Sequence, residues 1–159
     1  MKLETLFLKA VVVLLGVPVL ALCIFLVPEM GKLAAQMFPE FPVIKYLVWL
    51  VLYASAVPYY IALYQAFNLL RYIDGNVAFS ELSVKALKTI KVCAVAICAL
   101  HVLILSLFYY YAKLDDAPGV VIIGCFVPFA SAVIAVFAAV LQKLLRHAIE
   151  IKLENDLTV

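Results

Sequence analysis

Charged side chains are scarce in this sequence. Asp, Glu, Lys and Arg make up 14% of its 159 residues, whereas soluble domains carry roughly a quarter. The shortage is concentrated, because four long stretches contain no charged residue: 10–27, 46–70, 92–112 and 117–142. A soluble domain needs charge over most of its surface, so this distribution argues against a soluble fold and favours a membrane protein.

The sequence also lacks the motifs of familiar catalytic and metal sites. It contains no H-E-x-x-H, no G-x-S-x-G and no C-x-x-C, and its two histidines are far apart. We interpret its four cysteines as small residues at helix contacts. We therefore expect no enzyme activity, no cofactor and no metal. The net charge of +2 likewise gives no indication of direct nucleic-acid binding.

Each uncharged stretch is long enough to cross a membrane as a helix. The four stretches have 18, 25, 21 and 26 residues, and about 20 are needed for a ~30 Å hydrocarbon core. Leu3, Leu6 and Phe7 extend the first, with Lys9 snorkelling to the surface. The alternation of barrel strands is absent. We predict an all-α polytopic protein, an antiparallel bundle of four transmembrane helices at about 5–27, 46–70, 91–112 and 118–142 in a single membrane domain, 1–159.

The orientation follows from the distribution of Lys and Arg. Nine of the twelve fall in the N-terminal segment, the connector 71–90 with Lys91, and the tail 143–159. Only Lys32, Lys45 and Lys113 fall in the other two connectors. The positive-inside rule therefore places both termini and the central connector in the cytoplasm. The first stretch is longer than a signal-peptide core and no A-x-A-like site follows it, so we expect an uncleaved helix.

Prolines and turn residues predict the helix boundaries. Pro18 and Pro58 should kink their helices, and Pro28 should end the first helix near residue 27. The pattern at 29–38 predicts a short amphipathic helix on the outer surface or in a cap over the bundle. The hydroxyls of the deep tyrosines need partners, for which we expect a carbonyl loosened by Pro58.

The two polar segments on the cytoplasmic side should continue the third and fourth helices beyond the membrane. Asp74-Gly75-Asn76 predicts a turn, and Ser80 is the expected N-cap of helix three. Helix four should run past Gln142 to about Asn155, and its acidic residues are natural partners for the bases of the connector. We predict an interaction face made of Arg71, Lys85, Lys88, Lys91, Arg146, Glu150, Glu154 and Asp156.

A second candidate site lies inside the predicted membrane region. His101 stands near the middle of helix three, and an ionisable residue at that depth suggests a function. The alternative is a packed histidine that is hydrogen-bonded and neutral. Gln65 and Asn68 share one face of helix two and favour hydrogen bonds between helices. Together with Tyr64 and His101 they form a candidate intramembrane polar site.

Two phrases resemble a known family. They are Phe79-Ser80 with Val84 and Ile90-Lys91, and the ending Glu154-Asn155-Asp156-Leu157-Thr158-Val159. Both are similar to the YoaS-like family of small bacterial integral membrane proteins, a domain of unknown function. The resemblance implies four transmembrane helices in a bacterial cytoplasmic (inner) membrane, with no assigned catalytic residues. Members are often encoded beside a small helix-turn-helix regulator, which implies a DNA-binding protein as partner.

Two functions remain open at this point. The first is a membrane-embedded interaction or regulatory protein whose cytoplasmic face, 71–91 and 143–159, binds a partner and anionic lipids. The alternative is a small transporter or channel for a small solute, built as a homo-oligomer because the chain is short. The kinked helices and deep polar groups favour this alternative, whereas the lack of intramembrane charge does not.

Overall fold

The computed structural model describes residues 2–158, and nearly all of them are helical. Met1 and Val159, which end the predicted domain and tail, lie outside the described residues. A continuous first helix consists of α1 (Lys2–Ala21), a π-helical turn (Leu22–Leu26) and α2 (Val27–Met37). It is followed by α3 (Val43–Asp74), α4 (Glu81–Leu114) and α5 (Gly119–Leu157). All four are long and apolar enough to cross a membrane, so the predicted all-α, four-helix class is confirmed.

The helices run antiparallel, and each packs mainly against its neighbour in the chain. The first helix packs on α3, α3 on α4, and α4 on α5. The described termini therefore share one end with the loop 75–80. We call this the basic end, because residues 2–9, 71–91 and 143–158 hold nine of the twelve Lys and Arg residues. The other, the opposite end, carries the loops 38–42 and 115–118.

The spacing of charged residues along the helices matches a bilayer. Lys91 and Lys113 are 22 residues apart on α4, which is about 33 Å along a helix. Lys45 and Arg71 are 26 residues apart on α3, or about 39 Å. A bilayer is about 30 Å thick in its hydrocarbon core and about 40–45 Å with its headgroups. The charges at each end of the molecule therefore lie where headgroups and water would be.

The first helix continues through Pro28, so the prediction that it ends near residue 27 is wrong. The amphipathic segment 29–38 is not a separate surface helix but forms most of α2, which packs on α3. The missing N–H of Pro28 is accommodated in the π-helical turn just before it, where Val27 N–H donates to the Leu22 carbonyl five residues back. A π-turn shifts the bonding by one residue and allows the helix to resume.

Asn76 makes the predicted turn after α3. It has a φ of 57°, whereas Gly75 has an ordinary φ of −80°. The N–H of Val77 donates to the Tyr72 carbonyl (2.9 Å), which closes the helix in the manner of a Schellman motif. Ser80 has the extended backbone of an N-cap, as predicted, but its hydroxyl donates to the Val77 carbonyl (2.6 Å) and caps no helix amide.

The core follows α4, which has a neighbour on both sides. Its buried residues are Ser83, Val84, Ala86, Leu87, Cys93, Ala94 and Ile104. α5 buries small residues, including Ser131, Ala135 and Ala138, and small residues let helix backbones approach closely in lipid. Gly124 shows how close the approach is, since a Cβ there would lie 2.5 Å from the ring of Phe108 on α4.

Candidate functional site

The predicted interaction face lies at the basic end, and most of it is accessible. Lys91 is half-buried, and the other seven residues are exposed: Arg71, Lys85, Lys88, Arg146, Glu150, Glu154 and Asp156. They come from the end of α3, the first turns of α4 and the last turns of α5. The fold therefore gathers the face at one end, although its members are up to 85 residues apart in sequence.

The expected ion pairs within this face do not form. Within residues 2–158, no base of the connector forms an ion pair with Glu150, Glu154 or Asp156. Glu150 lies instead 3.7 Å from His147 of its own helix. Lys91 donates to the buried amide oxygen of Gln142 (3.1 Å) and so links α4 to α5. Except for Lys91, the charges of the face remain directed to solvent.

Exposed apolar side chains stand among these charges. Phe79 and Leu82 next to the start of α4 are 58% and 52% exposed, and Leu157 near the end of α5 is 86% exposed. The contact between Lys91 and Gln142 fixes the antiparallel register. In this register the start of α4, at Glu81, lies level with about residue 152 of α5. The part of α5 after residue 152 therefore extends beyond α4. Residues 150–158 are all exposed, so this last part of α5 stands clear of the rest of the chain.

A polar cluster that the sequence did not predict joins the first helix to α3. Lys9 and Thr5 both donate to the carboxylate of Asp74, and Lys9 also lies over the ring of Phe67 at 5.9 Å. The expected snorkelling would leave the ammonium of Lys9 in water, whereas it is bonded to Asp74 and mostly covered. Asp74 lies beyond the uncharged part of α3, and the hydrogen bonds from Lys9 and Thr5 lower the pKa of its carboxyl group.

Tyrosine hydroxyls of α3 make further contacts with the first helix. Tyr59 donates to the Leu15 carbonyl (2.8 Å), and Tyr60 to the Gly16 carbonyl (2.7 Å). Tyr53 donates to the carbonyl of Cys23 in the π-turn (3.1 Å). The expected partner near Pro58 is therefore wrong, because these hydroxyls reach across to the neighbouring helix. Polar groups in lipid must be satisfied within the protein, and these bonds achieve that.

The candidate intramembrane polar site does not come together as one cluster. His101 lines a cavity of about 320 Å³ towards the opposite end. On α3, the residues that line this cavity end at Leu52. Gln65 lies 13 residues further along α3, about 20 Å away along the helix. Asn68 and Tyr64 are on the same distant part of α3, and Tyr64 is 62% exposed. His101 is therefore the one member that reaches the cavity.

Ligand sets for metals do not assemble in the part of the chain that is described. No group of three His, Cys, Asp or Glu side chains comes together within residues 2–158. All four cysteines are free thiols, of which Cys93 is buried and the other three half-buried. The burial of Cys93 agrees with a position between helices, whereas for the other three cysteines this stays a prediction.

Comparison with known proteins places this architecture in a family. Residues 29–159 match the family DUF2975, described as a protein of unknown function. The chain is 59% identical over 158 residues to a Bacillus subtilis (strain 168) protein named uncharacterized membrane protein YoaS, with 99% of each chain covered. No solved structure matches. The resemblance to YoaS-like proteins is confirmed, and the chain belongs to the DUF2975 family of membrane proteins of unknown function.

Proposed function

We propose that this protein is a membrane-embedded interaction protein, with no enzyme activity of its own, whose basic end binds a protein partner at the cytoplasmic surface. The observation that carries this proposal is the state of the basic end. Apart from Lys91, the bases and acids of the predicted interaction face are exposed and not paired with one another, and exposed apolar side chains lie among them. Charged and apolar groups left in water together are typical of a docking surface.

The membrane orientation supports the same proposal. The excess of Lys and Arg at the basic end favours the cytoplasmic side of a bacterial inner membrane. Each base near an anionic leaflet also contributes about 1 kcal/mol of attraction. Arg71, Lys85 and Lys88 would hold this end at the headgroups, while the last turns of α5 extend towards the cytoplasm. The partner that the family resemblance implies is a small helix-turn-helix regulator.

Co-purification from native membranes in mild detergent tests the proposal. The test variant carries Glu150→Lys, Glu154→Lys and Asp156→Lys, which keep the positive-inside bias and change only the docking surface. The control carries Glu29→Gln and Glu40→Gln at the opposite end. We expect wild type and control to retain a DNA-binding protein that the tail variant loses. An identical set of bound proteins in all three samples would contradict the proposal.

A further inference from the structure

The cavity beside His101 is lined by four helices, which pack mainly against their chain neighbours. α2 packs on α3 and α5 packs on α4, so a gap is left between α2 and the first half of α5. The cavity occupies this gap, with a volume of about 320 Å³. Ligand pockets in proteins start at about 300 Å³. The gap is therefore large enough for a small molecule.

The cavity opens sideways. Its lining includes Leu26 on the π-turn, which is 48% exposed, and Ile123 and Val127 on α5, which are 76% and 40% exposed. His101 lies 10 residues from Lys91 and 12 from Lys113, which is about 15 and 18 Å along α4. The histidine is thus near the middle of the membrane region, and the opening faces the hydrocarbon of the bilayer. A ligand would enter from the lipid phase.

The lining is apolar apart from His101 and Tyr111. Of these two side chains, only His101 has a polar atom without a hydrogen-bond partner in the described chain. The hydroxyl of Tyr111 donates to the carboxylate of Asp115 (2.8 Å), at the end of α4. His101 has its Nδ1 at 3.0 Å from the Ile97 carbonyl of its own helix. In a neutral ring that nitrogen must carry the hydrogen, because a carbonyl oxygen only accepts. Nε2 then has a free lone pair, and no described residue donates to it.

We propose that this cavity binds a lipophilic alcohol or phenol, whose hydroxyl donates a hydrogen bond to Nε2 of His101. The apolar part of the ligand fills the space between α2 and α5, and any longer chain extends through the sideways opening into the bilayer. A plain hydrocarbon chain would fill the same volume but leave Nε2 unbonded. The hydroxyl is therefore what the site selects.

Paired probes separate the hydroxyl from the hydrocarbon. 4-Pentylphenol carries the donor, and 4-pentylanisole replaces its hydrogen by a methyl group. Apparent dissociation constants come from equilibrium dialysis of the full chain in detergent micelles, with protein-free micelles as the blank. One neutral hydrogen bond should make the phenol bind about three- to tenfold more tightly than the anisole.

Variants assign the effect to the cavity. His101→Phe should abolish the preference for the phenol while leaving anisole binding within about twofold, and His101→Leu serves if the larger ring disturbs folding. Val127→Phe, which fills the cavity, should weaken both probes at least fivefold. Ile122→Phe is the matched control, because Ile122 is 73% exposed and does not line the cavity. Its binding should equal that of the wild type.

Several results would overturn the proposal. Equal affinity of the two probes for the wild type would mean that the cavity holds hydrocarbon without selecting a hydroxyl. A phenol preference that survives both histidine variants would place the acceptor elsewhere. Failure of both probes to bind, or binding of both that is unaffected by Val127→Phe, would reject the cavity itself as the site.

Discussion

The hydroxyl of Tyr53 donates a hydrogen bond to the carbonyl oxygen of Cys23 at 3.1 Å, and Pro28 explains why that oxygen needs a donor. In the π-turn, Val27 N–H bonds to Leu22, so the next N–H in the same register would come from residue 28. Residue 28 is proline and has none. The tyrosine therefore replaces the missing backbone donor from a neighbouring helix.

A double-mutant cycle tests this relationship. Tyr53→Phe should destabilise the protein by about 0.5–1.5 kcal/mol, because it leaves a carbonyl unsatisfied in lipid. In a Pro28→Ala background the same change should cost less, since residue 28 then supplies an N–H. Unfolding by SDS in mixed micelles measures both effects. Tyr64→Phe is the control and should be neutral, because the hydroxyl of Tyr64 has no partner among the described residues. If Tyr53→Phe cost the same free energy of unfolding in both backgrounds, this account of Pro28 would be contradicted.

The contact between Gly31 and Trp49 gives a second prediction. A Cβ at position 31 would lie 1.9 Å from Nε1 of Trp49, so the indole fits only because residue 31 has no side chain. Gly31→Ala should destabilise the packing of α2 on α3 by about 1–3 kcal/mol. It should also shift the emission of Trp49, the single tryptophan.

Gly119→Ala is the matched control for that substitution, because nothing lies within 4 Å of a Cβ there. Thermal unfolding in detergent and the emission spectrum should both remain those of the wild type. If Gly31→Ala is equally silent, α2 is not held against Trp49 as described.

The cluster of Lys9, Thr5 and Asp74 predicts a dependence of stability on pH. Its hydrogen bonds hold the pKa of Asp74 below the ordinary value of about 3.9. A carboxyl group with a lowered pKa stabilises the fold above its unfolded-state value, and this contribution is lost as the pH falls through the folded-state value. Asp74→Asn should therefore lower stability between pH 5 and 7.

The difference between wild type and Asp74→Asn should shrink below about pH 4, as the wild-type carboxyl is protonated. SDS unfolding at a series of pH values measures it. Glu154→Gln, an exposed carboxylate without a partner in the described chain, is the control and should show little effect at any pH. A gap between Asp74→Asn and wild type that persists unchanged at pH 3 would contradict the role of the ion pair.

Local pattern was sufficient to predict the four helices, because lipid requires long apolar segments whose backbone bonds are internal. It was also sufficient for the turn at Asn76 and for the extension of α5 beyond Gln142. These features depend on residues within a few positions of one another.

Contacts between distant residues could not be read in the same way. The residues next to Pro28 indicate a helix end, whereas the donor that bonds the Cys23 carbonyl, Tyr53, lies 25 residues beyond Pro28 on another helix. The contact between Lys9 and Asp74 depends on how the first helix packs on α3, which no local pattern shows. The separation of His101 from Gln65 likewise depends on where the cavity lies along α3.

Single-cysteine labelling in intact cells tests the orientation of the bundle most directly. In a background where the four native cysteines are replaced by alanine or serine, one cysteine is introduced at Asn76, Asp116 or Glu154. With a membrane-impermeant maleimide, Asp116→Cys should react in intact cells, and Asn76→Cys and Glu154→Cys only after the cells are opened. Reaction of Asn76→Cys or Glu154→Cys in intact cells, with Asp116→Cys protected, would contradict the account.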